Sequence, residues 1–119
     1  MSTMARNALF EQGSRLYKKA KYSEALECFG RLADLDPNDP RVHNFIGVIL
    51  LCTGQFQKAL FHFSHAEDLL TVAYYDEKRK NDLRLIFGFN RAFAYHNLGE
   101  YKKSNEIFIE LLPQVIEVE

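Results

Sequence analysis

The chain has 119 residues, 47% of them hydrophobic and 26% charged, and a chain of this length buries about two thirds of its unfolded surface without disulfides or a structural metal. Fifteen Lys and Arg against sixteen Asp and Glu give a formal net charge of -1, which removes the attraction that non-specific nucleic-acid binding needs. Two cysteines, Cys28 and Cys52, are too few for a secreted disulfide scaffold, and no apolar run approaches the ~18 residues of a membrane span. A single domain in the cytoplasm or nucleus, with no nucleic-acid partner and no membrane insertion, is the expectation.

The apolar residues fall at helical spacing throughout, and six helices are expected. The first covers roughly residues 4–20 and the second roughly 23–35, where Ala25, Leu26, Phe29, Leu32 and Ala33 share one face. Asp36-Pro37-Asn38-Asp39-Pro40 then breaks the chain, with Asp39 as a cap and Pro40 in the first turn of a third helix, roughly 41–53. That helix, Phe45-Ile46-Gly47-Val48-Ile49-Leu50-Leu51-Cys52, is hydrophobic nearly all round and expects cover on every side. Thr53-Gly54-Gln55 leads into a fourth helix, roughly 56–75, carrying Phe56, Ala59, Leu60 and Phe63. The polar interval Asp76 to Asn81, with Asn81 as cap, precedes a fifth helix at roughly 82–98, and Leu98-Gly99-Glu100 turns into a sixth at roughly 101–112.

Internal repetition organises these helices. Gly13, Leu16, Tyr22, Ala25 and Phe29 recur 34 residues on as Gly47, Leu50, Phe56, Ala59 and Phe63. Leu50, Gly54, Phe56 and Phe63 recur 45 residues further as Tyr95, Gly99, Tyr101 and Phe108. The eleven extra residues make almost three helical turns at about 3.6 residues each, so a helical insertion at approximately 71–84 is expected to lengthen two adjoining helices in phase. The repeats then cover approximately 6–39, 40–73 and 82–117 of a single domain spanning 1–119.

Paired helices on a 34-residue period, with Gly, an aromatic, Ala and Phe at these offsets and Asp36-Pro37 closing the first unit, resemble the tetratricopeptide repeat. The resemblance covers nearly the whole chain and implies an all-α, right-handed superhelical array of three helix hairpins. The third copy departs from the pattern: Ala92 takes the small helix-packing position, Ser104 replaces Ala, and no Pro closes the unit. In that family a stripe on the first helix of each repeat lines a concave groove. Here the resemblance places Asn7, Phe10, Ser14 and Tyr17 in that stripe from the first unit, flanked by Glu11 and Lys18. The second unit supplies Asn44, Phe45, Val48, Leu51 and Cys52, and the third supplies Phe89, Asn90, Phe93, His96 and Asn97. Some members clamp the C-terminal carboxylate of a heat-shock chaperone with basic and Asn side chains. The corresponding positions hold Phe10, Ser14, Phe45, Ile86 and Asn90, without a Lys or Arg, so that role is disfavoured.

No P-loop, dinucleotide fingerprint, zinc-protease motif or nucleophile elbow is present, so no enzyme activity, cofactor or metal is expected. His62 and His65 lie i, i+3 on one helix without further ligands in sequence and read as surface or inter-repeat histidines. Cys52 and His96 stand one repeat apart and are candidates to approach one another. The function expected is a non-enzymatic adaptor holding an apolar or amphipathic segment of a partner protein in the groove, with Asn44 and Asn90 bonding its main chain and Phe45 and Phe93 as anchors clear of the core. The alternative is an assembly module, part of a longer array or self-associating through Ile107, Phe108, Leu111 and Leu112 on an open final helix.

Overall fold

In the computed structural model residues 2–116 are described, and they form six α-helices with no strand among them. The helices are α1 (Thr3–Lys18), α2 (Tyr22–Leu35), α3 (Pro40–Cys52), α4 (Phe56–Leu70), α5 (Glu77–Asn97) and α6 (Tyr101–Ile116). Each packs against the next in the chain, and α3 also touches α5, so three hairpins stack in order as an α-α array. The limit of the third repeat at 117 and the tail to Glu119 lie outside the described residues.

Three helices start on side-chain caps. Ser2 accepts the Ala5 amide at 3.1 Å, Asp39 accepts the Arg41 amide at 3.0 Å with Pro40 behind it, and Asp76 accepts the Arg79 amide at 2.8 Å. The last of these corrects the expected insertion. Instead of a helix running on to 75, α4 stops at Leu70, where the Thr71 hydroxyl donates to the Asp68 carbonyl at 2.8 Å. Residues 71–76 form the connection, Asp76 rather than Asn81 is the cap, and most of the extra residues lengthen α5, which has 21 residues against 13 in α3. At the other end α6 runs through Pro113 to Ile116, one turn beyond expectation.

Within each hairpin the chain reverses through one left-handed residue. Gly54 (φ 80°) and Gly99 (φ 81°) occupy it in the second and third, but Ala20 (φ 59°) occupies it in the first. A Cβ in this region crowds the following carbonyl. Ala20→Gly is therefore expected to stabilise the protein by about 0.5–1 kcal/mol, seen as a higher urea midpoint at unchanged slope.

Small residues set the hairpin spacing. A Cβ on Gly13 would lie 2.8 Å from the Phe29 ring and one on Gly47 would lie 2.5 Å from the Phe63 ring, both rings being fully buried. In the third hairpin Ala92 is fully buried as expected, and Gly88 admits Leu111, which a Cβ would meet at 2.5 Å. Ser104 is buried in the position of Ala25 and Ala59, and its hydroxyl finds no partner among the described residues. The core falls into three parts: a large one through α1 to α4 that Ala94 joins, a second between α4 and α5 around Ala66, Leu70, Leu83 and Phe87, and a third between α5 and α6 around Ala92, Ile107 and Leu111.

Candidate functional site

The first helices α1, α3 and α5 meet side by side through equivalent residues. At the first junction Phe10 sets its edge on Phe45 with ring centroids 5.3 Å apart. At the second, the residues at the same repeat positions are Asn44 and Asn90, and Asn90 Nδ2 donates to Asn44 Oδ1 at 2.8 Å. One junction is thus an aromatic contact and the next an amide pair. The Arg91–Glu67 ion pair, at 2.6 Å and half-buried, ties α5 to α4 beside it.

The stripe divides into a packed part and an open part. Phe45 stacks on the buried Phe29 at 4.7 Å and 9°, receives the edge of Phe10, and meets Tyr17 at 6.1 Å. This corrects the expectation that Phe45 stands clear of the core: it is the ring by which the second repeat covers the first. Phe10 is half-buried between Phe29 and Phe45 with the Arg41 guanidinium 5.1 Å above it, and Tyr17 is half-buried against Tyr22 and Phe45. Ser14, Val48 and Leu51 are half-buried along the stripe, while Asn7 is exposed at its rim. Phe89 is half-buried against Phe108, and Phe93 is 49% exposed with one edge contact to Phe108 at 5.7 Å. Asn97 donates its amide to the Phe93 carbonyl at 2.8 Å.

His96 and Cys52 do not meet. The His96 ring lies against Tyr101 at 5.1 Å, whereas Cys52 lies by Tyr22 and Tyr17. The Cys52 thiol lifts the Tyr22 hydroxyl above the usual tyrosine range. Tyr17 is lifted first by burial and then by Cys52, so both hydroxyls stay neutral at physiological pH. At the rim, a cavity of about 190 Å³ opens between α1 and the start of α3, lined by Arg6, Asn7, Phe10 and Arg41 among others. Its two cations are already paired, Arg6 with Asp36 at 3.3 Å and Arg41 with Asp39 through two hydrogen bonds of 3.2 and 3.0 Å. The site is therefore apolar and amide-lined, without a free cationic clamp at this mouth.

The sequence of residues 6–39 matches the tetratricopeptide-repeat family model. Of solved structures, the first tetratricopeptide domain of Spaghetti (RPAP3) bound to the HSP90 peptide SRMEEVD superposes with a TM-score of 0.77 at 18% identity, covering 99% of this chain and 85% of that one. The fold is a tetratricopeptide-repeat array. None of the curated proteins matches the sequence. The first helices α1, α3 and α5 hold the Phe10–Phe45 contact, the Asn44–Asn90 pair and the exposed Phe93.

The structure also joins residues that the sequence reading left apart. His43, on α3, packs against His62 and His65 of α4. No group of three or more His, Cys, Asp or Glu among the described residues is arranged to hold a metal ion. The signal in the sequence was the antiparallel hairpin itself, which sets Gly47 against Phe63 and so brings His43, one turn earlier, toward the later turns of α4.

Proposed function

We propose that this chain is a non-enzymatic adaptor that holds an apolar or amphipathic peptide segment of a partner protein along α1, α3 and α5. The observation that carries this reading is the Asn44–Asn90 pair. Its single hydrogen bond leaves Asn44 Nδ2 as donor and Asn90 Oδ1 as acceptor for the main chain of an extended segment, with half-buried Val48 and Leu51 alongside. Phe93 supplies the exposed ring that such a segment would cover. The Spaghetti domain's HSP90 peptide supports peptide binding as the general role. The clamp positions Phe10, Ser14, Phe45, Ile86 and Asn90 bring no positive charge to it, which favours an apolar segment over an acidic tail.

Peptides selected against the immobilised protein from a display library, then measured by fluorescence anisotropy, test this reading. Phe93→Glu is expected to weaken the selected peptides at least about thirtyfold, or about 2 kcal/mol, while helicity and thermal midpoint stay near those of the parent. SRMEEVD is expected to bind more weakly than they do. Unchanged affinity in a folded Phe93→Glu protein would place binding elsewhere.

One observation favours a second reading, assembly through the final hairpin. Phe29 and Phe63 are fully buried under the next repeat, but the equivalent Phe108 is only half-buried. Ile107 and Leu111 point into the α5–α6 hairpin and Phe108 packs at its edge on Phe89 and Phe93, which leaves Leu112, Ile109 and Val115 exposed.

A further inference from the structure

We propose that His43 and His62 form a proton-operated catch between α3 and α4, closed while the pair is neutral and released when it is doubly protonated. His43 is buried, and its Nε2–H donates to the Pro37 carbonyl at 3.0 Å, which fixes the tautomer and leaves the Nδ1 lone pair facing α4. Opposite it, 3.4 Å away, stands His62 Nδ1, whose hydrogen completes the bond. The catch thus links three elements: α4 through His62, α3 through His43, and the α2–α3 loop through Pro37.

A first proton can be shared, because His62 can move its own hydrogen to Nε2 and accept from a charged His43. A second proton cannot. It sets two N–H groups head to head at 3.4 Å and two like charges in a half-buried seam. His65 from α4 adds to this, its ring edge-on to His43 at 4.6 Å, and Phe61 lies against both α4 histidines. Among the described residues the carboxylate acting on the pair is Asp39, already engaged twice by the Arg41 guanidinium. Neither α2 nor α5 brings a charge that acts on either ring.

Burial is the first cause holding His43 below the ordinary imidazole value, with the Pro37 carbonyl and Asp39 opposing it and His65 adding to it. His62 is lowered by burial and then by His43 and His65. Both folded values lie below the unfolded 6.5, so below pH 6.5 the unfolded chain binds more protons than the folded one. Above that pH the catch is closed and adds no pH dependence, and stability falls progressively as the pH drops from 6.5 through the folded values.

The test follows the four imidazoles by proton–carbon NMR from pH 8 to 4.5, alongside thermal midpoints at pH 7.5 and 5 for the parent, His62→Gln and His96→Gln. In His62→Gln the introduced amide can still donate to His43 Nδ1 but cannot take a second charge. The parent and His96→Gln are expected to lose at least about 4 °C more than His62→Gln on acidification, with His43 and His62 titrating below 6.5. Equal losses in the parent and His62→Gln would overturn the proposal. Should His62→Gln fail to fold, the parent's titration decides: either His43 or His62 titrating at or above 6.5 would overturn it, and both below 6.5 would uphold it.

Discussion

Phe29→Ala is expected to cost about 3–5 kcal/mol, a large part of the 5–15 kcal/mol that holds an ordinary domain together. Phe29 is fully buried and ties α2 to two other helices: its ring fills the space that Gly13 leaves on α1, takes the edge of Phe10 there, and carries Phe45 of α3 on its face. Alanine would open a cavity where two repeats are joined, and the fixed backbones around it can close it only in part. The check is urea denaturation followed by circular dichroism, with Phe108→Ala beside it. Phe108 holds the same repeat position but is only half-buried, so its loss is expected to be less than half as large. Equal losses would mean that the final hairpin is covered in solution.

Phe45→Glu is expected to cost at least about 3 kcal/mol, the second large effect. The substitution removes a stacked ring and two edge contacts, and leaves a carboxylate against Phe10, Tyr17 and Phe29 with no free cation beside it, since Arg41 is committed to Asp39. Thermal unfolding should show it well below the parent, and Phe93→Glu close to it. The sequence expectation treated the two phenylalanines alike. They differ because Phe45 packs on three rings of the preceding hairpin, whereas Phe93 meets an edge of Phe108 within its own hairpin and stays half exposed.

That difference marks what the sequence can disclose. Helical spacing, the 34-residue period and the Gly–Phe pairs report contacts inside a hairpin, and these placed six helices in three hairpins, whereas the stripe on α1, α3 and α5 rested on the family resemblance. Contacts between hairpins leave no such period. Phe10 with Phe45 and Asn44 with Asn90 occupy matching positions with unrelated chemistry, so neither pair announces the other. The start of α5 was obscured for another reason. Residues Glu77 to Asp82 are exposed or nearly so and show no apolar face, and the deciding signal was the Asp76 carboxylate aimed at the Arg79 amide. His43 escaped notice because its partners lie on the neighbouring helix.

The division of the core into three parts bears on how such a sequence can change. Ring stacking joins the first two hairpins, while an amide pair, an ion pair and the apolar cluster around Leu70, Leu83 and Phe87 join the last two, so the two joints rest on different side chains. A substitution at one joint is therefore not answerable to the chemistry of the other, and each can drift under its own local constraint. The first hairpin matches the tetratricopeptide-repeat model over residues 6–39, while the third has Ser104 where the others have Ala and Pro113 inside its final helix. Unequal divergence along one short chain is the natural outcome of an architecture whose parts answer only to their neighbours.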